Sequence, residues 1–273
     1  MSDSERKKTI WRVVIFLAVV MILTWVSPLL GGSPANMGPG FILWGMTPLL
    51  AAVGMRLATR DWADFGIKPG FKKNALWYVV SFIAIPILML LALWKGVLTS
   101  ITSISGFSLG EFLSTMLIAL PIFFIFAIFE EVGWRDYLSP KLDSLGVNRF
   151  TASAIVAAIW ATWHLPYITE LTWAFSSGDL AVFLPRFYLV CFALSILYGE
   201  LRSVSGTFWT AVLMHAVSNS FGHPLAAEYV TYAAGRELFA DIGNGLIFIV
   251  LVSILGMAFN RWRSTRTTSR TPG

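Results

Sequence analysis

Six polar side chains in this 273-residue chain fall within, or at the ends of, long apolar runs. They are Glu130, Glu131, Arg135, His164, His215 and Asn219. A charge at mid-bilayer costs about 2.5 to 3.5 kcal/mol on insertion scales, so such residues are candidates for function. A carboxylate that faces a polar cavity can act as a base, and an imidazole and an amide can approach a single atom. Together these residue types could form a catalytic site.

Helix geometry limits which of these side chains can act together. Glu131 and Arg135 are four residues apart, which predicts an ion pair along one helix face and a supporting role for both. Glu130 is rotated by about 100° from Glu131 and therefore faces elsewhere, as a candidate general base. His215 and Asn219 are also four residues apart, so an imidazole and an amide can approach the same atom.

Each of these motifs also has a structural interpretation. Two glutamates followed by an arginine can simply form the interfacial end of a helix. His164 precedes Pro166 and could hydrogen-bond a carbonyl that the proline frees. His215 and Asn219 could form an interhelical contact worth about 0.6 kcal/mol, and we interpret His223 as structural, near the outer interface. We favour a site because three separate apolar runs each supply a group suited to catalysis.

The composition indicates the elements that must position these groups. The chain is 56% hydrophobic and only 13% charged, with a mean hydropathy of +0.72, whereas soluble domains are about 25% charged. This excludes an ordinary soluble or disordered protein and predicts an all-α polytopic integral membrane protein with eight transmembrane helices. The eight apolar runs lie at about 11–30, 41–55, 74–94, 112–129, 150–169, 180–199, 203–227 and 242–260.

The arrangement of these runs predicts one helical membrane domain over residues 1–273, with a core at about 112–225. The first run exceeds the 7 to 15 apolar residues of a signal peptide, so we interpret it as a retained span. The lone Cys191 allows no intrachain disulfide and is interpreted as a packing residue. The charges lie between apolar runs, which argues against a nucleic-acid partner. The sequence leaves the oligomeric state open.

Lys and Arg are distributed very unevenly between the two ends of the predicted spans. With eight spans, 17 of the 20 lie on the side of the two termini, including Arg270 in the C-terminal tail. The exceptions are Lys95, Arg186 and Arg236. Because basic residues accumulate in cytoplasmic connections, both termini are predicted to be cytoplasmic. Glu130 lies at the cytoplasmic end of its run, so we also expect the site to open to the cytoplasmic side.

Three motifs resemble those of the CPBP intramembrane proteases, which include the type II CAAX prenyl endopeptidases (Ras-converting enzyme-like) and bacterial abortive-infection and bacteriocin-immunity-like proteins. The first is two glutamates, three residues and an arginine, at 130–135. The second runs from Trp160 to His164, where the family usually has Phe in place of Trp160. The third runs from His215 to Asn219. The resemblance covers the fourth to the seventh predicted spans.

The resemblance implies an endopeptidase that hydrolyses a peptide bond with an activated water. Glu130 and His164 would position and deprotonate the water, and His215 with Asn219 would stabilise the oxyanion. The ion pair between Glu131 and Arg135 would support the site. The substrate would be membrane-associated, with a prenylated CAAX-type protein as one candidate, and the lipid bilayer would surround the protein.

Two alternatives remain open from the sequence. Glu130, His164 and His215 could ligate a catalytic zinc ion, although the chain has no HExxH motif. We assign no cofactor and slightly prefer direct activation of water by the glutamate. The second alternative is a catalytically silent membrane protein, either a transporter or a bacteriocin-immunity scaffold that binds a partner.

Overall fold

The computed structural model describes residues 1–171 and 180–268, which form a bundle of helices with one small pair of strands. The helices are α1 (Asp3–Val26), α2 (Pro39–Thr59), α3 (Phe71–Leu98), α4 (Leu109–Glu131), α5 (Ser139–Ser144), α6 (Arg149–His164), α7 (Ile168–Leu171), α8 (Leu180–Ser205), α9 (Trp209–Pro224), α10 (Glu237–Ala240) and α11 (Leu246–Thr268). Strands β1 (Thr102–Ile104) and β2 (Val230–Tyr232) pair antiparallel. The predicted all-α class is confirmed for these residues. Arg270, used above to predict the orientation, lies outside them.

Six helical segments in the described part of the chain are long and apolar enough to cross a membrane. They are α1, α2, α3, α4 with its extension to Ser144, α8 and α11. The predicted fifth and seventh spans fall on α6 and α9, which have 16 residues each, whereas a span needs about 20. Pro166 follows α6 in a 3₁₀ turn, and Pro224 is the last residue of α9. Eight transmembrane helices are therefore not confirmed.

A π-helix over Val132–Leu138 continues α4 beyond its two glutamates. All seven of its residues are buried. Gly133 permits a close approach to α2, since a Cβ at this position would lie 2.4 Å from the Cβ of Pro48. Single-turn π segments within α-helices often occur at functional sites. Here the segment directs Arg135 and Asp136 into the protein interior.

A network of buried ion pairs joins α1, α2, the π-helix, α5 and α8 at one end of the bundle. This charged layer consists of Arg12, Arg56, Asp61, Asp64, Asp136, Lys141 and Arg202. Arg56 and Asp136 are both fully buried, and a guanidinium nitrogen lies 2.9 Å from a carboxylate oxygen. The Lys141 ammonium donates to Asp61 at 2.9 Å and lowers the pKa of that carboxyl.

The opposite end of the bundle is built from the β1–β2 pair and the turn before α11. Asp241 Oδ1 accepts the backbone N–H groups of Gly243 and Asn244, each at 2.9 Å. Burial raises the pKa of Asp241 to about 7. The turn therefore holds a buried carboxyl group in place at the start of α11.

The helices that carry the predicted site residues surround a shared interior. α9 packs against α3, α4 and α8, and α8 packs against α6 and α11. α2 is joined to α6 by stacked indoles, because the rings of Trp44 and Trp163 lie 4.0 Å apart. Trp44 Nε1 also donates to the Trp163 carbonyl at 2.8 Å. This packing fixes the end of α6, where His164 lies.

Candidate active site

The structure brings the predicted catalytic side chains to one internal cavity. Glu130 from α4, His164 from α6, and His215 and Asn219 from α9 all line it. Its volume is about 420 Å³, and most of the remaining lining is aromatic or aliphatic. Three helices thus deliver a carboxylate, two imidazoles and an amide to the same space, surrounded by apolar walls.

Glu130 is 5% exposed and held at the inner end of this cavity. Its Oε2 accepts the indole N–H of Trp160 at 2.6 Å. Its Oε1 lies 3.8 Å from Nε2 of His215. A carboxylate fixed through one oxygen keeps its other oxygen aimed at a constant position, as a general base requires.

Glu131 and Arg135 form the predicted ion pair, and Glu131 also holds a histidine. Glu131 Oε1 accepts Arg135 Nη1 at 3.1 Å and lies 2.9 Å from His215 Nδ1. Because the carboxylate is an acceptor, Nδ1 of His215 carries the proton and Nε2 is directed to Glu130. Sequence spacing predicts the first contact but not the second, which crosses from α4 to α9.

Arg135 is fully buried between two aromatic rings. Its guanidinium carbon lies 4.5 Å from the ring centre of Trp160 and 4.9 Å from that of Tyr198. Nη2 donates to Ser195 at 3.3 Å. The rings and the carboxylate of Glu131 surround the cation, so its position is fixed. Arg135 therefore supports the site from behind and does not line the cavity.

His164 is oriented by its own helix. Its Nδ1 lies 2.8 Å from the carbonyl oxygen of Trp160, which can only accept. Nδ1 therefore carries the proton, and Nε2 is the nitrogen available for chemistry. The ring packs at near right angles to Trp163 and Phe187. The structural interpretation was a bond to the carbonyl that Pro166 frees, which is that of Thr162. His164 instead contacts the carbonyl of Trp160, and it also lines the cavity.

His223 lies one turn beyond Asn219 and lines the same cavity. Its ring centre is 5.1 Å from that of Phe123. We interpreted this residue from the sequence as structural and near the outer interface. The structure adds that the cavity extends as far as this position.

Sequence reasoning missed the contact made by Trp160 and did not identify Tyr198 as part of the site. Trp160 contributes a hydrogen bond to Glu130 and not just an aromatic body. Tyr198 packs its ring 5.7 Å from that of His215 and covers Arg135. The contact made by Trp160 could have been predicted from its indole N–H, because the phenylalanine that is usual at this position in the family has no such donor. Tyr198 left no signal, because it lies in an apolar run outside the motifs.

The residues present do not assemble a metal site. In the described part of the chain, no three His, Cys, Asp or Glu side chains gather so that they could hold a metal ion. Nδ1 of His164 and Nδ1 of His215 are held by Trp160 and Glu131, so only their Nε2 atoms could face an ion. Glu130, His164 and His215, the possible zinc ligands, do not form such a group, and we derive no reaction step through a metal.

Part of the chain resembles known proteins. Residues 112–221 match the family described as type II CAAX prenyl endopeptidase Rce1-like. This central segment is therefore similar to the Rce1-like family. A CAAX prenyl protease 2 from Methanococcus maripaludis is 35% identical over 95 residues, which are 33% of this chain and 33% of that protein. The chain therefore matches about a third of the length of this curated relative.

The Rce1-like segment contains every residue of the three motifs, from Glu130 to Asn219. It begins within α4 and ends within α9. The six apolar helical segments and this membrane-protease family together make the chain an integral membrane protein.

Replacing Trp160 with phenylalanine tests the positioning of Glu130. We expect kcat for peptide cleavage to fall at least about tenfold with KM unchanged, because a hydrogen bond to a charged group contributes about 1.5 to 3 kcal/mol. Phenylalanine keeps the ring beside Arg135 and removes only the N–H donor. The measurement is steady-state cleavage of a quenched peptide by the purified protein.

Trp94→Phe is the matched control, because Trp94 is 61% exposed on α3 and should leave both constants unchanged. An unaltered kcat in Trp160→Phe, or an equal fall in the control, would contradict the role given to this hydrogen bond.

Proposed function

We propose that this protein is an intramembrane endopeptidase that hydrolyses a peptide bond in a membrane-associated substrate. The observation that carries the proposal is the position of Glu130 at the inner end of an apolar cavity, 3.8 Å from Nε2 of His215. The adjacent Glu131 is paired with Arg135 instead. One carboxylate is therefore available as a base, while its neighbour holds the site together.

In the proposed reaction, Glu130 takes a proton from a water molecule that His164 helps to position, and the hydroxide attacks the scissile carbonyl. Asn219 and Nε2 of His215 lie on one face of α9, from which they stabilise the oxyanion once Nε2 has received that proton. Nε2 then returns the proton to the leaving amine. Glu131, on Nδ1, stabilises the imidazolium during this transfer.

We further propose that all eight predicted segments cross the bilayer. α6 continues through a 3₁₀ turn into α7 as far as Leu171. α9 continues through a π-helix as far as Tyr229. At about 1.5 Å per residue, each of these continuous helical paths covers roughly the 30 Å of hydrocarbon. This assignment places both termini in the cytoplasm and treats residues 1–273 as one membrane domain.

The substrate class follows from the walls of the cavity. Aromatic and aliphatic side chains line most of it, which favours an apolar or lipid-modified segment over a charged peptide. The name CAAX prenyl protease 2 describes the relative from Methanococcus maripaludis. For this chain, a prenylated CAAX-type substrate is one candidate within the broader class of membrane-associated peptides.

The test is cleavage of quenched peptides, with and without a farnesylated cysteine, by the full chain reconstituted in liposomes. We expect the wild-type chain to cleave at least one of them and His164→Ala and His215→Ala to lose about a hundredfold or more in kcat. Persistent cleavage in both variants would refute the mechanism. No cleavage of any peptide would favour the catalytically silent alternative.

Metal analysis and chelation belong to the same experiment. We propose activation of water by Glu130 without a metal, so chelator treatment should leave the rate unchanged. Bound zinc that is lost together with activity, and restored with it, would show that the zinc alternative is correct.

A further inference from the structure

The active-site cavity extends from Glu130 toward only one end of the bundle. On α4, Phe126, Phe123 and Ile122 continue the lining from Glu130 toward the start of the helix. At about 1.5 Å per residue, Ile122 lies about 12 Å from Glu130 along the helix axis. The lining thus leads away from the glutamates and the π-helix.

The other helices give the same direction. On α9 the lining runs from His215 to His223, toward the end of that helix. On α8 it runs from Tyr198 back to Phe183, near the helix start. Because α4 and α8 run opposite to α9 in the proposed arrangement of spans, all three sets lead to the same end of the bundle.

Two connecting segments form the outer part of the cavity, which we call the mouth. Pro34 and Met37 come from the connection between α1 and α2, and Gly243 and Asn244 come from the turn before α11. Met37 is 38% exposed. The mouth therefore lies at the end that carries the β1–β2 pair.

The inner end of the cavity is closed toward the charged layer. None of the seven residues of that layer lines the cavity, as far as residues 1–171 and 180–268 define it. Glu131 and Arg135, which follow Glu130 in the sequence, are fully buried and do not line the cavity. The site and the charged layer are thus reached from opposite ends of the molecule.

The charged layer identifies its own end as cytoplasmic. Arg12, Arg56, Lys141 and Arg202 belong to the basic set that is concentrated on the side of the termini, and the structure joins them in one network. Basic residues mark the cytoplasmic face. Of the three exceptions, Arg186 belongs to the other end, where it donates to the Glu237 carbonyl.

We infer that the catalytic cavity opens to the extracytoplasmic face and takes membrane-anchored peptides or protein segments presented there. This inference rests on the proposed protease function and deepens it. The sequence led us to expect a site open to the cytoplasm, because Glu130 lies at the cytoplasmic end of its helix. The structure separates the two properties, since the inner end of the cavity is near one face and its mouth is near the other.

One side chain near the mouth fits a peptide substrate. Asn244 is 2% exposed and lines the cavity. Neither its carboxamide oxygen nor its nitrogen has a hydrogen-bond partner among the described residues. A buried carboxamide without a partner is costly, and a peptide group satisfies both its donor and its acceptor. A segment of chain entering at the mouth would supply that group on its way to Glu130.

The test combines labelling with cleavage, using the full chain in cells. Two variants with a single cysteine, Ala35→Cys and Ala63→Cys, are made in a Cys191→Ala background. Both alanines are exposed. Ala35 lies between two mouth residues, and Ala63 lies between Asp61 and Asp64 of the charged layer. We expect a membrane-impermeant maleimide to label Ala35→Cys in intact cells and Ala63→Cys only in inverted membrane vesicles. The reverse pattern, or labelling of both variants in intact cells, would overturn the inference.

Cleavage separates this inference from the proposed function. A quenched peptide with one acyl chain, restricted to the outer leaflet of cells, should be cleaved within about twofold of the rate measured after permeabilisation. Cleavage that appears only after permeabilisation would overturn the inference while leaving the protease proposal intact. If detergent-solubilised protein cleaves no peptide, the protease proposal fails, and with it the substrate assignment.

Discussion

Replacing Glu130 with glutamine should lower kcat by about 10⁴-fold while the protein remains folded, because it removes the general base and little else. Glutamine has the same shape and keeps a carbonyl oxygen that can accept the N–H of Trp160. It cannot take a proton from water. In the native protein, Oε1 of Glu130 lies 3.8 Å from Nε2 of His215. In the variant, no carboxylate would be available to carry a proton from the water to this imidazole.

The measurement is cleavage of the quenched peptide by purified protein, together with the melting temperature of each variant. Glu111→Gln is the matched control, since Glu111 is exposed in the first turn of α4 and should leave the rate within about twofold of wild type. A Glu130→Gln protein that keeps a tenth of the wild-type kcat would show that another group is the base.

Replacing Arg56 with methionine should destabilise the fold by about 3 to 5 kcal/mol, because the change removes the closest charge partner of the buried Asp136 carboxylate. Arg56 is fully buried and donates to Asp136 at 2.9 Å and to Asp64 at 2.7 Å. Its guanidinium also lies 5.0 Å from the ring centre of Phe65. Methionine fills part of the volume and supplies none of these contacts. Thermal unfolding in detergent micelles measures the loss.

Arg60→Met is the control, because Arg60 lies one turn later and is exposed. It should change the free energy of unfolding by less than about 0.5 kcal/mol. Adding Asp136→Leu to Arg56→Met should restore part of the stability, since replacing both partners by apolar groups removes the uncompensated charge. Recovery is partial because Asp136 also accepts from Gly66 and Arg202. Equal stability of the two single arginine variants would contradict this account.

The sequence predicted most of the helical framework because hydrophobic length is a local property. The runs at 74–94 and 112–129 correspond closely to α3 and α4. Hydrophobic length did not predict the ends of α6 and α9, which lie near Pro166 and at Pro224. Periodicity and hydropathy do not show where a helix changes to a 3₁₀ turn or a π-helix. Neither property indicates the short β1–β2 pair, which depends on a contact between residues more than a hundred positions apart.

The site was predictable where it depends on spacing within one helix. The Glu131–Arg135 pair follows from an interval of four residues and is present. The contact from Glu131 to His215 and the bond from Trp160 to Glu130 join different helices, and single-sequence spacing carries no such information. The direction that we infer for the cavity depends on packing in the same way, since it follows from which helix ends are covered.

The π-helix after Glu131 has a consequence for aligning this chain with its relatives. Each backbone hydrogen bond of a π-helix spans five residues, whereas that of an α-helix spans four. A homologue whose helix remains α-helical between Val132 and Leu138 should therefore contain one residue fewer in this segment. A one-residue gap at this place in an alignment would reflect helical phase and not a loop.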